Sequence, residues 1–374
     1  MNKSDIKRNR FMLTGSFKRK GYDWWWHSFT AINEKTGLEK PFFIEFFTIN
    51  PALAESEPTL GQLPENKEKH KRPSYVMVKV GTWGNTHIQL HKFYSFKDVK
   101  IHGKEPFSIH TGDCYLSETE TYGSVSVKDS SSHPEWMCND GTINWYLKIN
   151  KKIAFNVGYG ASSFFRAIKA FEMYWHAEGM KTEYEGWIEM DGQRYIVKRE
   201  SSYGYADKNW GRGFTSPWVW LSSCNLESKI TGKKLENTVF DIGGGRPKVY
   251  FIPMNRKLLG ALWYEGTNFE FNFSKFWTGS KTQFESKETD KEIIWNVRQE
   301  NRDHVMVTNV RCLKKDMLKV NYEAPDGSKR HNRLWNGGNG VGEVQLYKKT
   351  RNGLVLIDDM IAKNIGCEYG EYDK

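Results

Sequence analysis

The sequence predicts an all-β protein of antiparallel sandwich or barrel type, and three observations carry that reading. Short runs rich in β-branched and aromatic residues recur along the 374-residue chain, punctuated by Gly, Pro, Asn or Asp. No strand–helix–strand rhythm appears, and turn signals return about every 8 to 12 residues. Finally, 15 Trp, 18 Tyr and 22 Phe carry much of the apolar content, enough flat surface to wall a sizeable core.

Taken in order, the first strand is GYDWWWHSF (21–29). Strand alternation puts Tyr22, Trp24, Trp26 and Ser28 on one face, and Asp23, Trp25, His27 and Phe29 on the other. Neither face is cleanly apolar, which points to a half-polar interior lined by rings. PFFIEFFTI (41–49), SYVMVKVGTW (74–83) and HIQLHKFYSF (87–96) follow as strands, as do GTINWYLKI (141–149) and KIAFNVG (152–158). The polar, proline-rich stretch 51–73 reads as a long surface loop, and 117–136 as an exposed hairpin. ASSFFRAIKAFEMYW (161–175) has apolar spacing near that of a helix, or of an irregular lid. Two hairpins are sharply marked, by Asp191-Gly192 and by Pro325-Asp326-Gly327. GYADKNWG (204–211) then leads into the strand-like SPWVWLSSCNL, and PKVYFIPM, NFEFNF, EIIWNVRQE, VMVTNVRCL and GEVQLYKK continue the pattern. LGALWYEG (259–266) and the stretch 355–366 are weaker helical candidates. The strand-rich halves on either side of residue 200 suit two barrels of similar type.

The net charge of +10 raises nucleic acid or an acidic membrane surface as partners; the basic residues are scattered and no zinc-finger, helix-turn-helix or RNP-type motif occurs, which leaves at most a weak membrane-surface contact as the expectation. A basic surface without nucleic-acid binding is the expectation. Five cysteines with no CxxC pair suit reduced thiols in a cytoplasm. MNKSDIKRNRFMLTG carries no apolar leader, and no run long enough to span a membrane is present. GxSxG, P-loop, GxGxxG and HExxH patterns are missing. Glycines 243 to 245 read as a turn, and WNGGNGVGE lacks the helix that a phosphate cradle needs. His87 and His91 read as exposed strand residues; no metal site and no cofactor are expected.

Protic candidates stand among rings. Glu45 alternates with Phe43 and Phe47, so it is either a buried proton donor or a partner for a lysine or arginine at a barrel mouth. Tyr174 and His176 lie two apart and share a face if extended. Asp207 is either a proton donor or an ion-pair partner of Lys208 or an arginine that fixes a corner. Trp218 and Trp220, with Trp24, Trp26, His27, Tyr205, Trp210 and Trp263, complete the candidate lining of a pocket for a hydrophobic ligand.

The stretch 173–226 resembles the tocopherol cyclase family and, more distantly, carotenoid hydratases and related lipocalin-like proteins. The matching features are Tyr174 and His176, a hairpin from Gly186 to Gly192, the run Asp207-Lys208-Asn209-Trp210-Gly211, then Phe214 and the Trp218/Trp220 strand. This resemblance implies two consecutive lipocalin-like barrels with few short helices. The first would span residues 1–200 and hold the ligand cavity; the second, 201–374, would open on the DKNWG corner. It also implies cofactor-independent chemistry on a prenylated, phenolic or polyene molecule. The reaction would protonate a C=C bond, and cyclisation or hydration would follow. Such chemistry needs a protonated acid in a dry site and ring faces that stabilise a cation. Asp207, His176, Tyr174 and Glu45 are the expected acids. Two other readings stay open: a carrier that binds without reaction, and a polysaccharide binder with a solvent-facing row of tryptophans.

Overall fold

The computed structural model describes residues 6–104, 106–155, 168, 170–246, 248–249, 252–253, 257–273 and 275–371. Alternating aromatic and β-branched runs become strands almost throughout, and helices are reduced to short turns such as Pro64–Glu68. The first sheet contains β1 (Tyr22–Asn33), β2 (Glu39–Ile49), β3 (Tyr75–Thr82), β4 (Ile88–Tyr94), β5 (Val99–His102), β6 (Ser108–Thr111), β7 (Cys114–Ser117), β8 (Glu120–Val127), β9 (Gly141–Phe155), β10 (Met173–Met190), β11 (Gln193–Val197) and β12 (Gly204–Gly211). The second contains β13 (Trp218–Ser223), β14 (Asn225–Ser228) and β15 (Val239–Gly245). A small ribbon of β16 (Lys248–Val249) and β17 (Ile252–Pro253) follows. The second sheet resumes with β18 (Lys257–Tyr264), β19 (Thr267–Phe271), β20 (Lys281–Glu288), β21 (Glu292–Glu300), β22 (His304–Leu313), β23 (Leu318–Glu323), β24 (Lys329–Thr350) and β25 (Gly353–Gly370). Every pairing is antiparallel, and the two sheets form consecutive lipocalin-like barrels, one closed and one half-closed.

The turn chemistry acts as read. Asp191 and Gly192 both take positive φ, 48° and 77°, the type I′ geometry that joins β10 to β11. Several expectations are corrected. Residues 161–167 of the helix candidate lie outside the described residues, and Met173 to Trp175 open strand β10. LGALWYEG lies in β18, and 355–366 lies in β25, because strand partners on both sides override a weak helical period. Glycines 243 to 245 end strand β15. The 51–73 loop is not free: Gln62 donates to the Gly327 carbonyl (2.9 Å), Leu60 is buried, and Asn50, just before the loop, donates to the Pro325 carbonyl (2.9 Å). His91 is buried with its Nδ1 against the Trp136 carbonyl (2.8 Å), while His87 is exposed.

The largest correction concerns GYADKNWG. It is a fully buried strand of the first sheet, inserted between β1 and β10, and not a corner opening the second barrel. Sheet membership therefore changes between Gly211 and Trp218, past residue 200.

Three cores result. One fills the first barrel around Trp25, Phe42, Trp145 and Tyr184, and another fills the second around Phe240, Ile242 and Trp295. The third joins the sheets, with Trp26, Phe43 and Trp175 from the first packed on Trp218, Trp220 and Tyr322. The alternation read in GYDWWWHSF is the reason: Tyr22, Trp24 and Trp26 face this shared core, whereas Trp25 and Phe29 face the first barrel. No described helix is long and apolar enough to cross a membrane.

Candidate functional site

Where the sheets meet lies a narrow cavity, about 450 Å³ counting the gaps between its wall atoms. Its walls include Trp24, Trp26, Tyr205 and Asp207 from the first sheet, and Trp218, Trp220, Tyr322, Leu334 and Glu368 from the second. The space open to water is only about 20 Å³, room for about one molecule. The expectation of a cavity inside the first barrel is thereby corrected: inward-pointing rings fill that barrel, and the cavity needs both sheets.

Register explains how the polar groups arrive. Trp26 pairs with Asp207 on one side and with Glu45 on the other, and Glu45 pairs with Lys79. Directly paired residues share a face, so Lys79, Glu45, Trp26 and Asp207 form one row toward the second sheet. Tyr205, two residues before Asp207, follows on the same face.

Asp207 is buried and has no cationic partner among the described residues. Its Oδ2 accepts a hydrogen bond from Trp175 Nε1 (2.8 Å) and a longer one from Tyr205 Oη (3.3 Å). Its Oδ1 faces the Trp24 indole without a well-formed hydrogen bond. Burial pushes its pKa well above the usual carboxylate range; the Trp175 hydrogen bond opposes this, and the Glu368 charge adds to it. Tyr205 Oη also lies 3.3 Å from Asp241 Oδ2, and Trp220 Nε1 donates to Asp241 Oδ1 (3.1 Å). Asp241 is raised well above its ordinary value by burial and by the neighbouring Asp207. A phenol has one proton, so Tyr205 can donate to one of these carboxyls at a time. The shared burial and the proximity of the two carboxyls favour protonation of the second one.

Glu368, at the cavity's other wall, accepts from Trp218 Nε1 (2.6 Å) and Asn336 Nδ2 (2.5 Å). Burial raises it to about 7 against those hydrogen bonds. The Asn336 amide oxygen in turn accepts from Trp83 Nε1 (2.7 Å), tying the sheets together.

Glu45 takes the paired form. Its Oε2 meets Lys79 Nζ at 2.8 Å and accepts from Tyr322 Oη at 2.8 Å, and Lys79 Nζ lies 3.6 Å from the Tyr322 ring centre. Lys208 does not pair with Asp207; it points to the opposite face of β12 and forms a buried ion pair with Asp23. His27 lies on that face too, its Nδ1 2.8 Å from Tyr184 Oη, and burial holds its pKa well below the ordinary imidazole value. Tyr174 pairs in register with Trp210, and their rings stack at 5.5 Å; His176 pairs with Lys208. All three belong to the face turned away from Asp207, and Trp263 packs against the shared core without lining the cavity. The structure thus gathers Asp207, Tyr205, Trp24, Trp26, Trp218 and Trp220, with Glu45 behind them, and leaves His27, Tyr174, His176, Trp210 and Trp263 outside.

Sequence reasoning missed Asp241, Glu368, Trp175 and Tyr322. The signal was available for Asp241, a lone carboxylate between Phe240 and Ile242, the same pattern that drew notice to Glu45. Two glycines of the second sheet also have a use here. A Cβ on Gly243 would lie 2.8 Å from the Trp175 ring, and one on Gly366 2.2 Å from the Trp220 ring. Glycine lets the two indoles that hold Asp207 and Asp241 lie against the second sheet's backbone. Among the described residues, no group of three His, Cys, Asp or Glu side chains gathers as a metal site.

Comparison with known proteins agrees with this architecture. The chain is 32% identical over 143 residues to the chloroplastic tocopherol cyclase of Zea mays, and 32% identical over 148 residues to the probable chloroplastic tocopherol cyclase of Oryza sativa subsp. japonica. Each match covers 37% of this chain and 27% of the relative, so the chain aligns with about a quarter of those proteins' length. An AttH of Nitrosomonas europaea shares the fold with a TM-score of 0.50 at 10% identity, over 98% of this chain and 96% of that one. The profile of tocopherol cyclase-like proteins matches residues 73–371, which include Asp207, Asp241 and Glu368. The chain therefore belongs to the tocopherol cyclase-like family.

Proposed function

We propose that the protein is a cofactor-independent enzyme that protonates a C=C bond of a hydrophobic prenylated phenol or polyene, with Asp207 as the acid. The observation that carries this reading is a buried carboxyl with no cationic partner among the described residues, its pKa raised by burial, held by an indole and a phenol in a cavity walled by tryptophans. A trisubstituted alkene takes the Asp207 proton at its less substituted carbon, leaving a tertiary cation and the Asp207 carboxylate. The faces of Trp24, Trp26 and Trp220 stabilise that cation; each desolvated face contributes about 2 kcal/mol. In cyclisation the substrate's own phenol oxygen closes on the cation, and its proton returns to Asp207. In hydration a water molecule does the same, and the net reaction adds that water. Tyr205 and Asp241 keep the site from accumulating two negative charges while Asp207 is ionised. Because the open space admits about one water, substrate entry requires the cavity rings to move apart.

The family's cyclase members favour cyclisation, and a prenylated hydroquinone is the substrate to try first. In D₂O, turnover is expected to place deuterium on the methylene next to the new quaternary carbon. Product without deuterium there would refute alkene protonation. Tight binding of the prenylated ring with no product at any pH would favour a carrier instead.

A further inference from the structure

The far end of the second barrel carries a feature that the cavity chemistry does not use. The β24–β25 hairpin runs on past its neighbours: β22 stops pairing at His304↔Lys348, and β14 stops at Ser228↔Met360. Residues 349–357 therefore project without a flanking strand, and residues 350–356 are all exposed. The projecting part holds Leu354, Val355 and Leu356, exposed by 47%, 54% and 42%. Consecutive strand residues point to opposite faces, so both faces of the tip show apolar side chains to solvent.

Two further observations say what covers it. The hairpin is basic: Lys348, Lys349 and Arg351 fall in a stretch with no carboxylate between Glu343 and Asp358. Lys349 pairs with Glu300 (3.2 Å), but Lys348 and Arg351 form no ion pair among the described residues. The second observation is an exposed indole on the same end. Lys349 N donates to the Asp303 carbonyl (2.7 Å), and Arg302 N donates to the Thr278 carbonyl (3.1 Å). These bonds bring the turn carrying Trp277, 56% exposed, to the side of the hairpin. Of the acids nearby, Glu300 is paired with Lys349 and Glu270 with Lys275, and Asp303 remains; Lys348, Arg351 and Arg302 leave the end positive.

We infer that this end of the second barrel docks on an anionic lipid surface, with the Leu354–Val355–Leu356 tip entering the interface and Lys348 and Arg351 meeting phosphate headgroups. Protruding aliphatics, a flanking tryptophan and unpaired cations are the combination that partitions into a headgroup layer. A flat protein partner would cover one face of a hairpin and leave the other wet. The tip and Glu368 lie at opposite ends of β25, and none of the tip residues lines the cavity. The patch therefore holds the protein to the membrane and does not form the cavity mouth.

The test is flotation of the full chain with two vesicle types, phosphatidylcholine alone and phosphatidylcholine mixed with phosphatidylglycerol. Binding is expected on the mixed vesicles at low salt, and weakened by salt. Serine at positions 354, 355 and 356 together should lower the partition coefficient at least about tenfold. Lys348→Gln with Arg351→Gln should reduce binding to the mixed vesicles to the level seen on phosphatidylcholine alone. Far-UV dichroism confirms that each variant is folded; the tip is solvent-exposed, so melting should hardly change. Absence of flotation with mixed vesicles overturns the inference. So does flotation unaffected by the serine variant, or a stable dimer that the serine variant dissociates.

Discussion

Strand β12 carries two buried polar environments back to back, and they resolve the same physical problem in opposite ways. On its outer face, toward the second sheet, Asp207 joins Asp241 and Glu368, each hydrogen-bonded to an indole and none paired with a cation among the described residues. On its inner face, Lys208 pairs with Asp23, while Lys151 bridges Glu118 (2.8 Å) and Glu178 (3.0 Å). Burial raises Asp23 to about 6 against the pull of Lys208, and lowers Lys208 to about 8 against the pull of Asp23. The inner cluster offsets its burial by pairing opposite charges; in the outer cluster burial instead raises the carboxyl pKa values and favours the protonated forms. Buried ion pairs are costly to break and do little chemistry by themselves. A buried protonated acid is a reactive group held ready.

The largest effect expected from this contrast is on turnover. Asp207→Asn should lower turnover by a factor of about 10²–10⁴, the span of a lost general acid. Stability should change by about 1 kcal/mol or less, because one neutral group replaces another. Rate assays and urea melts on the same preparation check both halves. Next is the inner pair: Lys208→Met strands the Asp23 carboxylate and should cost about 3–5 kcal/mol of stability. A midpoint within experimental error of the parent would show that this pair is not needed, and the contrast would collapse.

A third outcome concerns pH. The folded Glu368 carboxyl is raised from 4.5 to about 7, so the native protein binds a proton that the unfolded chain releases. That contribution to stability is intact below about 4.5 and is lost as pH rises toward about 7. It falls by at most about 1.4 kcal/mol per pH unit. Glu368→Gln should flatten the parent's stability profile by that amount in this window and leave it unchanged above pH 8 or so. A difference of opposite sign would mean that Glu368 is ionised in the fold. The smallest effect is Tyr205→Phe, which removes one hydroxyl between two carboxyls. Turnover should drop about tenfold, in keeping with one hydrogen bond of ~1.4 kcal/mol, and the infrared bands of the protonated carboxyls should shift.

Much of this was legible in the amino-acid order, because strand alternation is a local rule. It assigned the two faces of GYDWWWHSF correctly and marked Glu45 as a carboxylate set among rings. It could not say which surface would cover a face. Tyr322 reaches Glu45 from 277 residues away, and Glu368 joins the cavity from the last strand. The DKNWG run misled for a related reason. Three adjacent polar residues look solvated, yet Asp207, Lys208 and Asn209 are each buried, with partners on alternating faces: Trp175, Asp23 and Tyr22. Local polarity shows that partners are required; only the fold supplies them.

The late place of β12 in the chain has a consequence for how the protein is made. Until Gly204–Gly211 emerges from the ribosome, β1 and β10 stand apart over the segments that this strand will later bridge. Bridging that gap between β1 and β10 and installing the acid are then a single event. The strand that completes the wall turns Lys208 inward to meet Asp23, and the same two-residue period turns Asp207 outward. A shift of register by one residue would exchange them, putting a lysine in the cavity and an unpaired aspartate beside Asp23. The ion pair is thus the registration mark that ensures the acid faces the right side.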